Sequence, residues 1–416
     1  YTAQGVGPAF FELWRDGLYD EYDVGWCFAQ YFSQSDVTVP KVRGRAAGSG
    51  KERNVRLVIA GGGTGGHLFP GIAVAEEFLS RDPANQVLFV GTRAGIEYRL
   101  LGSLGYELEL IDVEGLKGRG IKALLVGAYK IPYSIWHSRG LLRRFSPDVV
   151  IGVGGYASGP VVITAWLMGI PTAIAEQNAV AGVTNRILGK FADRVFLTYE
   201  RSRKHFWARK VVMTGNPVRA AFAAGLTDQR PLRRGQTMLI FGGSQGAQAI
   251  NRTIVEMLPY LQKMKQDLKI IHQTGRRDLA MVGDAYRRFG IDAQVHEFIT
   301  DMPAAYAEAD LVVCRAGATS LAEITAAGKP SVLIPYPYAA NDHQTQNAEV
   351  MAEAGAAVMI PEGELSAEKL FALVEELFAD EARLQEMGTL SARLGRRGAA
   401  AEIVDACEQL VKGNDH

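Results

Sequence analysis

Three stretches of this 416-residue chain combine residue types and spacing that could do chemistry. GGGTGGH, residues 61–67, sets five glycines in front of His67. GGSQGA, residues 242–247, carries Ser244, Gln245 and Gly246. CRAGATSLAEI, residues 314–324, offers Ala318, Thr319 and Ser320 ahead of Glu323. Each follows an apolar run and leads into a helical pattern. A helix that opens on bare backbone points unpaired N–H groups outward, where they bind phosphate or sugar oxygens. A tight turn alone accounts for only some of the first loop's glycines. An imidazole, with an ordinary pKa of about 6.5, takes up protons near neutral pH. His67 is therefore the candidate general base, with orientation of a diphosphate as its other task. The S-x-x-E from Ser320 to Glu323 also fits a capping box, in which the glutamate merely returns to the cap amide.

Elements that could hold these loops alternate from Val55 onward. VRLVIA, QVLFVG, DVVIGVG and PTAIAE read as strands, followed by MLIFGG, KIIHQT, LVVC and PSVLIPY, with helical stretches between them. Short apolar strands alternating with helices predict parallel sheets covered on both faces. Each series opens on a glycine loop, and the loops lie 180 residues apart, Gly62 to Gly242. The expected fold class is thus α/β, with two Rossmann-like doubly wound domains facing across a cleft. Ligands in such sheets bind beyond the carboxyl ends of the strands. Gly61, Gly63 and Gly66 also spell a dinucleotide fingerprint, but VLFVGTRAG ends without the acidic residue that would hold a ribose. Arg93 could meet a 2′-phosphate, which keeps an NADP-dependent reductase as an alternative.

Composition narrows the classes further. Lys plus Arg and Asp plus Glu number 45 each, so no bulk charge attracts nucleic acid. Three scattered cysteines form neither a disulfide framework nor zinc spacing. No run of 18 apolar residues appears. Residues 1–40 differ from the rest, with ten of the 37 aromatics and a net charge of −5, and KVRGRAAGSGKER follows as a flexible linker. This block is either a foreign fusion or a peptide that docks on the lipid-facing surface. GLKGRGIKALLVGAYKIPYSIWHSRGLLRRF, residues 115–145, mixes bulky apolar residues with lysines and arginines, as an interfacial helix on anionic lipid does. A core-facing helix with a basic rim is the plainer alternative.

Taken together, GGGTGGHLFPGIAVA, GVGGYASGP, EQNAVAGVTNRIL, TGNPVR, IFGGSQGAQAIN, CRAGATSLAEITAAGKPSVLIP and NDHQTQNA resemble the MurG family of bacterial cell-wall glycosyltransferases over about residues 54–412. The resemblance implies a GT-B fold and transfer of N-acetylglucosamine from its UDP sugar to undecaprenyl-diphosphate-linked N-acetylmuramyl pentapeptide. Inversion at the anomeric carbon, no bound metal and no cofactor are implied too, as is a place on the cytoplasmic face of the membrane. An acceptor- and membrane-binding domain is expected over 51–215, a UDP-sugar domain over 216–395, and a helix over 396–416 packing back on the first domain. On the donor side the resemblance gives Thr64, Gly65, Arg219, Ser244, Gln245, Gly246, Ala318, Thr319 and Ser320. It gives Glu323 to the ribose hydroxyls, the backbone of Ile299 to the uracil edge, and His343 and Gln344 to the sugar. Arg219 has an interdomain ion pair as its alternative. His343 stands where some members have glutamine. Gly63, Gly66, Tyr156, Ser158, Glu176, Gln177 and Asn178 are expected to line the acceptor wall, with Ala175 in place of a histidine found in some members. A UDP-sugar epimerase of similar architecture is the second alternative.

Overall fold

The computed structural model describes residues 54–62, 65–92, 101–102, 104–111, 121–224, 236–243, 246–263 and 268–413. The expectations placed on residues 1–50, Gly63, Thr64, Arg93, 115–120, Ser244 and Gln245 lie outside them.

The first domain carries β1 (Arg56–Gly61), α1 (Gly65–Arg81), β2 (Gln86–Gly91), β3 (Glu107–Leu110), α2 (Ile121–Phe145), β4 (Val149–Gly154), α3 (Ser158–Leu167), β5 (Thr172–Glu176), α4 (Val183–Leu188), β6 (Arg194–Leu197) and β7 (Val211–Met213). Its strands are all parallel in the order β3-β2-β1-β4-β5-β6-β7. The second carries α5 (Ala220–Ala224), β8 (Gln236–Phe241), α6 (Gln248–Leu261), β9 (Leu268–Gln273), α7 (Leu279–Phe289), β10 (Ala293–His296), α8 (Met302–Glu308), β11 (Leu311–Cys314), α9 (Ala318–Ala327), β12 (Ser331–Leu333), α10 (His343–Glu353), β13 (Ala357–Met359), α11 (Ala367–Ala379) and α12 (Glu381–Leu394). Its parallel strands run β10-β9-β8-β11-β12-β13.

Both sheets are buried on both faces, which explains their unbroken apolar strands. In β1, Leu57 and Ile59 enter one core cluster while Val58 and Ala60 enter another. In β8, Met238 and Ile240 face one way, Leu239 and Phe241 the other. Strand order reverses between β1 and β4 and again between β8 and β11. Crevices open at such reversals, because the helices on either side leave in opposite directions. The three chemistry-bearing loops of the sequence and the GVGGYASGP loop are the four connections that leave these strands.

The last element of the described residues, α13 (Ala399–Gly413), returns to the first domain. Its Ile403, Val404, Cys407 and Val411 share one core cluster with Leu57, Ile59 and Phe78. Arg81 secures the contact at its rim, reaching Asp405 at 2.6 Å and the Ala401 carbonyl at 3.0 Å. Each apolar side chain so buried contributes about 1.5–3 kcal/mol. The C-terminal helix is therefore an apolar tie between the domains.

Candidate functional site

The two loops at the first switch point touch backbone to backbone. A Cβ on Gly61 would lie 2.4 Å from the Gly154 carbonyl oxygen, and one on Gly155 2.3 Å from that of Gly62. Several of the glycines are thus demanded by the meeting of β1 and β4, whatever ligand approaches. His67 stands in the first turn of α1, half-buried, with its ring laid over Gly154. A Cβ there would come within 2.6 Å of Cδ2 and 2.9 Å of Nε2.

One residue before His67, in the same turn, sequence chemistry opens a link to the other domain. Pro70 lies inside α1 and has no N–H to give the Gly66 carbonyl four residues before it. That carbonyl instead accepts from Thr319 Oγ1, in the first turn of α9, at 3.3 Å. Gly65, Gly66 and Phe69 consequently line one cavity of about 730 Å³ with Arg219, Gly246, Gln248, Ala318, Thr319, Ser320, Glu323 and Gln344. Gly66, expected on the acceptor wall, lies in this shared cavity. His67 is not among its lining residues.

The capping-box alternative for Glu323 fails. Gly317 is the cap residue of α9, so Glu323 is the sixth helical residue and cannot fold back onto the cap amide. Its carboxylate lies 3.8 Å from the Arg219 guanidinium and accepts from Tyr306 Oη at 3.5 Å. Burial outweighs both neighbours and pushes its pKa up to about 7. Arg219 sits over the rings of Phe69, from the first domain, and Phe222, from α5, at 5.2 and 5.4 Å.

The second switch point is braced from below. Gln273, at the end of β9, donates from Nε2 to the Gly243 carbonyl at 2.8 Å and accepts the Ile299 N–H at 2.8 Å. One buried amide so ties the phosphate-type loop to the segment expected to read a base. The Ile299 N–H is thereby used, which leaves its carbonyl as the backbone group that could read a base edge. Gly246 leaves no room for a side chain, since a Cβ would sit 2.0 Å from the Thr274 carbonyl oxygen. Asn251 of α6 donates to that carbonyl and to Asp278, both at 2.8 Å, so its Oδ1 faces His272 Nε2 at 3.1 Å. Burial pushes His272 down to about 3, which makes the ring neutral. Oδ1 can only accept, so Nε2 carries the proton and Nδ1 accepts from Tyr286 Oη at 3.0 Å.

Gln344 reaches the cavity with its orientation already assigned. Its Oε1 accepts the Tyr336 N–H at 3.0 Å, leaving the Nε2 hydrogens as donors. Arg315 anchors that loop by donating to the Ile334 and Pro335 carbonyls, both at 3.1 Å, and pairing with Glu362. His343 does not line the cavity; its Nδ1 hydrogen-bonds the Ala340 carbonyl at 2.7 Å.

The acceptor wall needs more correction. Ser158 is fully buried beneath Gly152 and cannot meet a ligand in the cleft. Glu176 is buried too, accepting from the Asn178 and Gly182 amides at 3.0 and 2.9 Å and from Asn185 Nδ2 at 2.9 Å. Gln177 turns inward to the Val153 carbonyl, and Asn178 accepts from Asn347 of the other domain. Of these four, Ser158, Glu176 and Gln177 are buried and Asn178 is half-buried, whereas Tyr156 is exposed. Phe69, Arg252, Gln273, Phe298, Arg315 and Tyr336 also line the cavity and went unread. Only Gln273 left a trace, as a polar residue ending the apolar run of a strand. Among the described residues no group of three His, Cys, Asp or Glu side chains is arranged for a metal ion.

Residues 57–197 match the glycosyltransferase family 28 N-terminal domain, and residues 237–403 match the family's C-terminal domain. A Syntrophus aciditrophicus (strain SB) protein named UDP-N-acetylglucosamine–N-acetylmuramyl-(pentapeptide) pyrophosphoryl-undecaprenol N-acetylglucosamine transferase is 53% identical over 358 residues, 86% of this chain and 99% of that one. Its namesake from Myxococcus xanthus (strain DK1622) is 50% identical over 357 residues, 86% and 93% of the two chains. The crystal structure of Acinetobacter baumannii MurG matches with a TM-score of 0.71 at 32% identity, over 85% of this chain and 99% of that one. A UDP-GlcNAc 2-epimerase from Neisseria meningitidis, bound to UDP-GlcNAc, has a TM-score of 0.60 over 86% and 100% of the chains at 13% identity, which is likeness of fold alone.

Proposed function

The chain belongs to glycosyltransferase family 28, among the relatives named as N-acetylglucosamine transferases of the lipid-linked muramyl pentapeptide, and from that premise we propose how its site performs the transfer. N-acetylglucosamine moves from UDP-N-acetylglucosamine to the 4-hydroxyl of N-acetylmuramyl pentapeptide on undecaprenyl diphosphate. The observation that carries this reading is the single cavity in which helix starts from both domains converge with Arg219 and Glu323. An epimerase of this fold would need only the UDP sugar. Identity to the epimerase is 13%, against 53% and 50% to the two named transferases.

In the transfer, the acceptor oxygen bonds to C1 of the sugar as the C1–O bond to UDP breaks. Charge then grows on the departing diphosphate. Amides at the starts of α6 and α9 and the Arg219 guanidinium stabilise it. Glu323, when ionised, accepts from the ribose hydroxyls, and Gln344 donates to the sugar. His67 takes the proton of the attacking hydroxyl. Transfer of radiolabelled sugar from UDP-N-acetylglucosamine to a short-chain lipid-linked muramyl pentapeptide tests the assignment; UDP-N-acetylmannosamine formed without acceptor would replace it by epimerisation.

The acceptor's lipid asks for a membrane surface. Among the described residues no helix is long and apolar enough to cross a membrane. We infer a peripheral contact on the cytoplasmic face through the side of the first domain formed by α2, α3 and α4. Trp136 is 71% and Leu167 60% exposed there, joined by Tyr133, Trp166, Val183 and Ile187. Arg139, Arg143 and Arg144 are exposed on the same helix as Trp136, and such a mixture suits anionic lipid. Co-sedimentation with phosphatidylglycerol vesicles should weaken in Trp136→Ser and with added salt; binding indifferent to both would remove this surface from consideration.

A further inference from the structure

Asn347 is fully buried at the junction of the two domains, and all its hydrogen-bonding capacity but one lone pair is used there. From α10 its Nδ2 donates to Asn178 Oδ1 at 3.2 Å and to the Ala316 carbonyl at 3.3 Å, while its Oδ1 accepts the Ala179 N–H at 2.8 Å. Two of these partners belong to the loop after β5 of the first domain. The third belongs to the loop that opens α9, which carries Thr319 and Glu323. On the far side, Asn178 is held by the Glu176 carboxylate through its own N–H and Nδ2, at 3.0 and 3.3 Å. A chain of hydrogen bonds therefore runs from Glu176 through Asn178 and Asn347 to Ala316.

Gln344 precedes Asn347 by three positions and so lies on the same face of α10. One end of this face reaches the donor cavity, and the other engages the first domain. Farther along, Arg201 of the first domain reaches Glu349 at 2.9 Å and also pairs with Glu353, but at the exposed rim. Apolar packing would tolerate many relative placements of the domains. A fully buried amide tolerates one, because a small rotation leaves its donors and acceptor unpaired.

We propose that Asn347 is a positioning residue that sets the loop over residues 176–182 against the donor site, so that occupation of the donor site and order of that loop are linked. Linkage is reciprocal: UDP at the donor site must steady the loop as much as the ordered loop favours UDP. The kinetic consequence rests on the transferase reading; the physical one does not.

The test uses the full chain and the variants Asn347→Ala and Asn347→Asp. Asp keeps an acceptor for the Ala179 N–H but loses both donors, and serves should Ala fail to fold. Amide exchange over 176–182 should quicken at least tenfold in either variant, and saturating UDP should slow it in the wild type but not in the variants. Acceptor KM should rise about tenfold, with kcat moving less than threefold. Arg201→Ala should leave the loop's exchange within twofold of wild type. If loop exchange in both variants stays at the wild-type rate, or if UDP slows it in both as it does in the wild type, the proposal is overturned. If UDP binds none of the proteins, the donor assignment falls, and loop exchange without ligand still decides whether Asn347 positions the loop.

Discussion

Thr319 Oγ1 donates to the Gly66 carbonyl across the domain junction, at the one carbonyl of the first turn of α1 that Pro70 deprives of its helical donor. A proline near the start of a helix, unremarkable for the helix itself, becomes an interdomain acceptor. Thr319→Val keeps the shape and removes the donor, a loss of about 1 kcal/mol. Donor KM should rise roughly fivefold, by the same arithmetic. Pro70→Ala returns a competing N–H to Gly66 and should move donor KM in the same direction with Thr319 intact. A Pro70→Ala enzyme with unchanged donor KM would mean that this hydrogen bond carries no function.

With Glu323 as the proposed ribose acceptor, donor binding should depend on pH. Its carboxyl is pushed up to about 7, chiefly by burial, and only the ionised form offers both oxygens as charged acceptors to two hydroxyls. KM for UDP-N-acetylglucosamine should fall as pH rises through 7, because the sugar nucleotide's diphosphate has no group titrating there. Glu323→Gln should abolish that dependence and raise KM by the worth of a charged hydrogen bond, about 1.5–3 kcal/mol. Steady-state kinetics between pH 6 and 8 decide it.

Stability should respond to pH through two buried groups of opposite sign. His272, lowered to about 3, binds fewer protons folded than unfolded below its ordinary 6.5, so it costs stability as pH falls from 6.5 toward 3. Glu323, raised from 4.5 to about 7, costs stability as pH rises through that interval. The two slopes oppose between 4.5 and 6.5. Denaturant melts of Glu323→Gln should therefore expose the His272 slope, up to about 1.4 kcal/mol per pH unit. A flat profile in that variant would contradict the buried neutral imidazole.

The His67 assignment predicts a loss in turnover rather than in donor binding. His67→Ala should lower kcat by about 10²–10⁴-fold with UDP affinity nearly unchanged. Gly154→Ala should reproduce part of that loss, since its Cβ would displace the ring and its φ of 100° strains any side chain. Loss of UDP affinity equal to the loss of kcat would reassign His67 to diphosphate orientation.

Much of this was legible in the residues themselves. Apolar runs of β1, β4, β8 and β11, each followed by a glycine loop and a helix, determined two doubly wound domains and where their ligand sites open. That the loop at Gly246 and the helix start at Ala318 open on one cavity was readable because a glycine turn and the helix start after a strand are local features, as was the gap in dinucleotide chemistry after β2. Other features depended on segments far apart in the chain. Glu176, Gln177 and Asn178 look like a row of ligand groups until the fold turns them toward Gly182, Val153 and Asn347. The glycines at 61 and 155 look like room for a ligand until β1 and β4 bring their backbones together. Periodicity and turn chemistry act over a few residues and are written in sequence. Which buried amide meets which carbonyl some 170 residues away, as at Asn347 and Asn178, is decided only when the two domains close on one another.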